Sequence, residues 1–257
     1  MQESIDLNAD MGESFGPWKM GDDAALLDVV SSANIACGFH AGDADVMAAT
    51  MARAVANDVG IGAHPGFRDL QGFGRRRMDV PDATLANQVR YQVGAAQGIA
   101  RAAGGAVRHL KLHGALANMA SENENLARAC YEAALSVDPD IIIMVLAGTA
   151  QEAAARSLGA RMACEIFADR AYNADCTLVD RRQPGAVIHD ADRAAARILE
   201  MLRAGAIIAE DGTHIPTRID TICLHGDTPE AVGIAKSLRA GLEAAGVRVA
   251  RFEGARG

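Results

Sequence analysis

The chain has 257 residues, half of them apolar and 23% charged, with a formal net charge of −8. That length suits one α/β barrel or two small domains, and the acidic balance argues against a nucleic-acid surface. Cys37, Cys130, Cys164, Cys176 and Cys223 show no C-x-x-C spacing, the start MQESIDLNADMGES is polar, and no apolar stretch reaches the roughly 18 residues of a membrane span. The expectation is a cytoplasmic protein with free thiols.

Strand-like and helix-like segments alternate along the chain. Residues 4–7 read as a strand and 22–32 as a helix capped by Asp22 or Asp23. A strand at 34–38 precedes a helix at 43–58, with Val46, Met47, Met51 and Val55 on its apolar face. A third strand, 59–63, leads into a glycine- and arginine-rich loop, 65–77, and a long helix from about 81 to 103. The strand at 107–112 is followed by a helix at 122–135, and the continuous apolar run 141–146 suits a strand covered on both faces. A helix at 149–158 and a strand at 161–166 precede a long loop. Helix 191–204, strand 221–224, helix 229–245 and a closing strand at 247–251 complete the series. Such alternation predicts parallel strands joined by helical crossovers. The fold expected is α/β, a distorted (β/α) barrel of about seven or eight parallel strands in a single domain spanning 1–257.

Four of the seven histidines share one context: His40, His64, His113 and His225 each follow an apolar run, with glycine one or two residues later. Beyond the carboxyl ends of parallel strands they would meet on one rim, where ligands bind. Asp6, Asn8 and Asp10 alternate onto one face of the first strand, and Glu13 follows beside Gly12. Carboxylates there can act as a base, hold a divalent metal or orient a histidine. If a metal is bound, Asp10, His40 and His64 are the ligands the sequence suggests, although His40 and His64 are not in an H-x-x-x-H spacing.

Lys111 and His113 alternate with Leu110 and Leu112, which turns the lysine toward the lumen, where it needs an anionic partner. Asp227, two residues past His225, repeats the arrangement or caps a helix, and Arg170 suits a substrate carboxylate or a local ion pair with Asp169 or Glu165. His109 has no evident role, and His189 and His214 read as loop residues. The run Arg75-Arg76-Arg77 reads as a solvated loop or an anion site. There is no Gly-Lys-Ser/Thr phosphate loop.

Ordered motifs across the chain resemble the LamB/YcsF (lactam utilization) family. They are DLNADMGE at 6–13, ANIACGFHAGD at 33–43, GAHPGF at 62–67, GFGRR at 72–76, KLHGAL at 111–116, FADRAY at 167–172 and CLHGDT at 223–228. The sequence departs from the family pattern at Leu112, where proline is usual, and at Ala117, where tyrosine is common. The resemblance implies a barrel related to the glycoside hydrolase and deacetylase barrels. It also implies hydrolytic opening of 5-oxo-L-proline (pyroglutamate) to L-glutamate coupled to ATP hydrolysis, with 5-oxoprolinase subunits B and C as partners. With no phosphate loop in this chain, ATP falls to those partners as co-substrate.

On that reading Asp10, His40, His64, Lys111, His113 and His225 do the chemistry, and Asn8, Glu13, Arg170 and Asp227 bind substrate. The alternative is a metal-dependent deacylase of small amides. Neither a metal requirement nor self-association is decided by the residues alone.

Overall fold

The computed structural model describes residues 2–225 and 231–256. The elements, in chain order, begin β1 (Ser4–Met11), α1 (Asp23–Leu27), β2 (Ser32–Ala36), α2 (Ala44–Ala56), β3 (Gly60–His64), α3 (Asp82–Ala102) and β4 (Val107–Leu110). There follow α4 (Gly114–Glu122), α5 (Glu124–Val137), β5 (Ile142–Leu146), α6 (Ala150–Ser157), β6 (Arg161–Phe167) and α7 (Ala191–Ala204). The last are β7 (Ala206–Ile208), β8 (His214–Pro216), β9 (Thr221–His225), α8 (Ala231–Ala244), β10 (Arg248–Val249) and β11 (Ala255–Arg256).

Strands β1 to β6 pair in sequence order and all run parallel. β9 pairs with β6 on one side and with β1 on the other, which closes a seven-stranded barrel. The expected eighth strand does not enter it. Only Arg248 and Val249 of that segment pair, beside Ser4 and Ile5 at the start of β1, and the chain then turns so that Phe252 packs with Ile142, Met144 and Ala163. Three other features go beyond the expectation: helix α4, directly after His113, the antiparallel β7–β8 hairpin, and β11, which pairs antiparallel with β6. No helix of the described residues is long and apolar enough to cross a membrane.

Alternation sorts the staves into two faces. On β1, Ile5, Leu7, Ala9 and Met11 join the apolar layer beneath the helices, while Asp6, Asn8 and Asp10 turn into the lumen. The lumen is polar through much of its depth. Asp6 accepts hydrogen bonds from Ser31 and Ser32, both at 2.7 Å, and from Thr221. Asn8 donates to Thr221 at 2.7 Å, and Asn34 donates to Asn8 at 2.6 Å and to Asp10 at 2.9 Å. His109 Nε2 bonds the remaining Asn34 oxygen at 2.8 Å. These bonds between strands offset much of the cost of burying the groups, although His109 Nδ1 has no hydrogen-bond partner among the described residues. His109, unassigned from sequence, is therefore a structural bond donor in the lumen.

Burial pushes the Asp6 carboxyl up from 3.8 to about 6, against the hydrogen bonds from Thr221, Ser31 and Ser32. The folded state then holds this proton more tightly than the unfolded chain does. Its contribution to stability is complete below about pH 4 and is lost as pH rises through about 6, by about 3 kcal/mol. Urea unfolding of the wild type and Asp6→Asn at both ends of that window tests this. The gap between the two proteins should move against the wild type as pH rises, and a constant gap would refute it.

Candidate active site

A cavity of about 910 Å³ opens over the carboxyl ends of the strands; Asp10, Glu13, Lys111, His113, Glu165 and Arg170 are among its walls. At its floor lies Lys111, which β4 delivers just past its last paired residue. Its Nζ is 2.9 Å from Asp10 Oδ1, 2.8 Å from Glu165 Oε1 and 2.9 Å from Cys223 Sγ. All four residues are buried. Burial works against the Lys111 ammonium, but the Asp10, Cys223 and Glu165 side chains hold it well above the ordinary lysine value. Burial raises Glu165 despite the attraction of Lys111, and Asp10 adds to the rise. The floor thus combines a fixed cation with a carboxyl inclined to keep its proton.

Three imidazoles stand beside this group. His64 Nδ1 meets the backbone carbonyl of Lys111 at 2.8 Å, and its Nε2 lies 3.4 Å from Asp10 Oδ2. His113 Nε2 meets the Phe73 carbonyl at 2.8 Å, and its Nδ1 lies 3.1 Å from His64 Nε2 and 3.9 Å from Glu13 Oε1. His40 stacks on His113 with ring centres 3.7 Å apart. Burial, then the neighbouring imidazoles, holds His40 and His113 well below the ordinary histidine value.

The loop after β3 shapes this cluster. A Cβ on Gly74 would lie 2.8 Å from both His113 Cδ2 and His40 Cβ, and its φ of +62° suits glycine. Arg76 is paired with Asp69 and Arg77 with Glu122, while Arg75 lies over the Phe73 ring. The basic run is thus largely spent on holding the loop against the histidines.

The positions anticipated from sequence are distributed as follows. Asp10, His40, His64, Lys111 and His113 come together, with Glu13 beside His113. Asn8 lies deeper in the lumen, held by Thr221 and Asn34, so it supports Asp10 through Asn34 rather than lining the cavity. Arg170 lines the cavity, yet it donates to the Val179 carbonyl at 2.6 Å and the Ala186 carbonyl at 3.4 Å, which ties down the loop after β6. Its expected pairing with substrate carboxylate is therefore shared with a structural duty. His225 ends β9 in register with Asp10, but its side chain and the whole of Asp227 lie outside the described residues.

Of the ligand trio suggested from sequence, Asp10 lies beside His64, with Oδ2 3.4 Å from His64 Nε2. Asp10 Oδ1 is engaged by Lys111 and Asn34, and the donors that converge are Glu13, His40, His64 and His113, within 4.8 Å of one another. Glu165, expected from sequence only as a possible ion-pair partner of Arg170, pairs with Lys111 instead, and Cys223 joins the site without a role expected from sequence. Alternation along Ala163-Cys164-Glu165 marks Glu165 as inward-facing; nothing local marks its partner.

The LamB/YcsF family profile matches residues 5–257. The chain belongs to the LamB/YcsF family. Within it, the chain is 70% identical over 249 residues to the A subunit of 5-oxoprolinase from Ruegeria pomeroyi, covering 97% of this chain and 98% of that one. The solved lactam utilization protein of Thermus thermophilus is 42% identical, with a TM-score of 0.91 over 97% of this chain and all of that one. Outside the LamB/YcsF family, a peptidoglycan N-acetylglucosamine deacetylase shares the fold at 12% identity, with a TM-score of 0.52 over 99% of this chain and 90% of that one.

Proposed function

We propose that this chain is the ring-opening component, the A subunit, of an ATP-dependent 5-oxoprolinase that hydrolyses 5-oxo-L-proline to L-glutamate. The observation that carries the reading is the 70% identity to the A subunit of a 5-oxoprolinase along nearly the whole of both chains. The buried Asp10–Lys111–Glu165 group gives that activity a chemistry. Partner subunits, B and C, supply the ATP-dependent step, in keeping with the lack of a phosphate loop in this sequence.

A five-membered lactam is an unstrained amide, and phosphorylation of its oxygen makes the ring carbon electrophilic. Water adds across the carbon–nitrogen double bond as Asp10 accepts one of its protons; the electron pair moves to the ring nitrogen, and the added oxygen, which gains charge as the adduct collapses, faces the Lys111 ammonium. The tetrahedral adduct can expel either phosphate, which returns the lactam, or the ring nitrogen, which opens it. Protonation of the nitrogen selects the productive route, and Glu165, which burial inclines to hold a proton, delivers it. The resulting acyl phosphate loses phosphate to a second water and yields glutamate. The cavity-lining Arg170 supplies positive charge for the substrate carboxylate.

Glutamate release from 5-oxoproline and ATP should require this chain together with both partners. Equal release with this chain omitted would defeat the assignment.

A further inference from the structure

The contacts of His64 and His113 leave two nitrogens in an awkward position. His64 places Nδ1 against the Lys111 carbonyl and His113 places Nε2 against the Phe73 carbonyl, each at 2.8 Å. A carbonyl only accepts, so each of those nitrogens carries the ring proton. In the neutral rings the other two nitrogens, His64 Nε2 and His113 Nδ1, present lone pairs to each other at 3.1 Å, in rings set at 90°, and His64 Nε2 also lies 3.4 Å from Asp10 Oδ2. Lone pairs at that distance repel unless a cation lies between them. Two donors on a tetrahedral zinc ion, each bonded at about 2.0–2.1 Å, stand roughly 3.4 Å apart. Glu13 Oε1, 3.9 Å from His113 Nδ1, adds a carboxylate on the same side.

His40 supplies an independent observation. It is fully buried, neither of its ring nitrogens has a hydrogen-bond partner, and it offers a donor within 4.8 Å of the other three. A proton shared by His64 and His113 would relieve that pair yet leave both His40 nitrogens unmatched. Buried polar groups without partners are costly and call for an unseen ion or water.

We propose that Glu13, His64 and His113 bind one divalent transition-metal ion of the zinc class, with His40 as the fourth donor. Three imidazoles and a carboxylate are a ligand set of that class. His40 lies parallel to His113, at 5° between ring planes, so it reaches the ion by turning its ring. Bound there, the ion supplies Lewis-acid polarisation of a carbonyl or water at the cavity floor. That role rests on the lactam reading; the binding does not.

The test uses the full-length chain, stripped by a chelator and titrated with cobalt(II), then zinc(II). A visible d–d absorption typical of four- or five-coordinate cobalt should appear, saturate near about one ion per chain and vanish as zinc displaces it. Glu13→Gln and His113→Asn should each weaken binding on the order of 100-fold or more, while His189→Ala and His214→Ala leave it unchanged. Should His113→Asn fail to fold by circular dichroism, Glu13→Gln carries the comparison. Absence of the band in the wild type, or binding unaltered in Glu13→Gln, overturns the proposal. So does an NMR signature of a proton shared between His64 and His113 that saturating zinc does not displace. Metal bound as described with no glutamate formed by the full complex would overturn the lactam reading and leave the metal site standing.

Discussion

Lys111→Met is expected to lower glutamate formation by the reconstituted complex on the order of 10³-fold, the scale set by removing a buried group that stabilises a developing oxyanion. Methionine keeps much of the length and apolar stem and removes only the charge. The ammonium lies 2.8–2.9 Å from Glu165 and Asp10, and both carboxyl groups are buried. Without it two acidic groups face each other in a dry lumen, which costs about 3–5 kcal/mol if both stay ionised. One of them will take a proton, and Glu165, already raised, is the group inclined to do so. The variant should therefore regain part of its lost stability as pH falls. Steady-state kinetics of the complex, with assembly checked by size-exclusion chromatography, reads the first effect. Thermal melts across pH read the second. Turnover within about threefold of wild type would remove Lys111 from the chemistry.

Gly62→Ala should be the most damaging methyl group that can be added to the barrel. A Cβ there would stand 2.1 Å from His109 Nε2, 2.4 Å from Cδ2 and 2.5 Å from Cε1. The ring is fixed by its bond to Asn34 and by edge contact with Phe252, so it has little room to yield. Overpacking of this kind costs about 3 kcal/mol or more. It also threatens the Asn34 bridge to Asp10, so activity should fall along with stability. Chemical denaturation of Gly62→Ala, His109→Ala and the double variant measures the clash. The double variant should lose less than the sum of the two single losses. Strict additivity, or a Gly62→Ala protein as stable as wild type, would show that the ring is free to move.

The crowding at Gly62 also shows where reading by alternation fails. The register between β3 and β4 shifts at Ile61/Gly62: Ile61 pairs with Val107, but Gly62 pairs with His109. Arg108 is the extra residue, so Val107 joins the outer apolar layer while His109 turns inward. A local pattern carries no sign of that bulge. Helix α4 is hidden for a similar reason, since GALANMASE follows a strand end with no capping side chain to announce a helix start.

Much else is local and therefore legible. Apolar runs of strand length, capping aspartates such as Asp43, and glycines just past the strand ends fix the order of elements. They also place His40, His64, Lys111 and His113 at or just beyond strand ends. Family motifs along the chain carry the rest of that reading. Tertiary structure alone decided that β9 closes the barrel against β1, which leaves the expected eighth strand outside. It alone joined Lys111 to Asp10, 101 positions away, and to Glu165 and Cys223, and it set His64 against His113. Alternation along a strand says which side chains turn inward, because that depends on backbone geometry alone. Which inward groups meet depends on barrel closure and the stagger between strands, and those arise only when the whole sheet has formed.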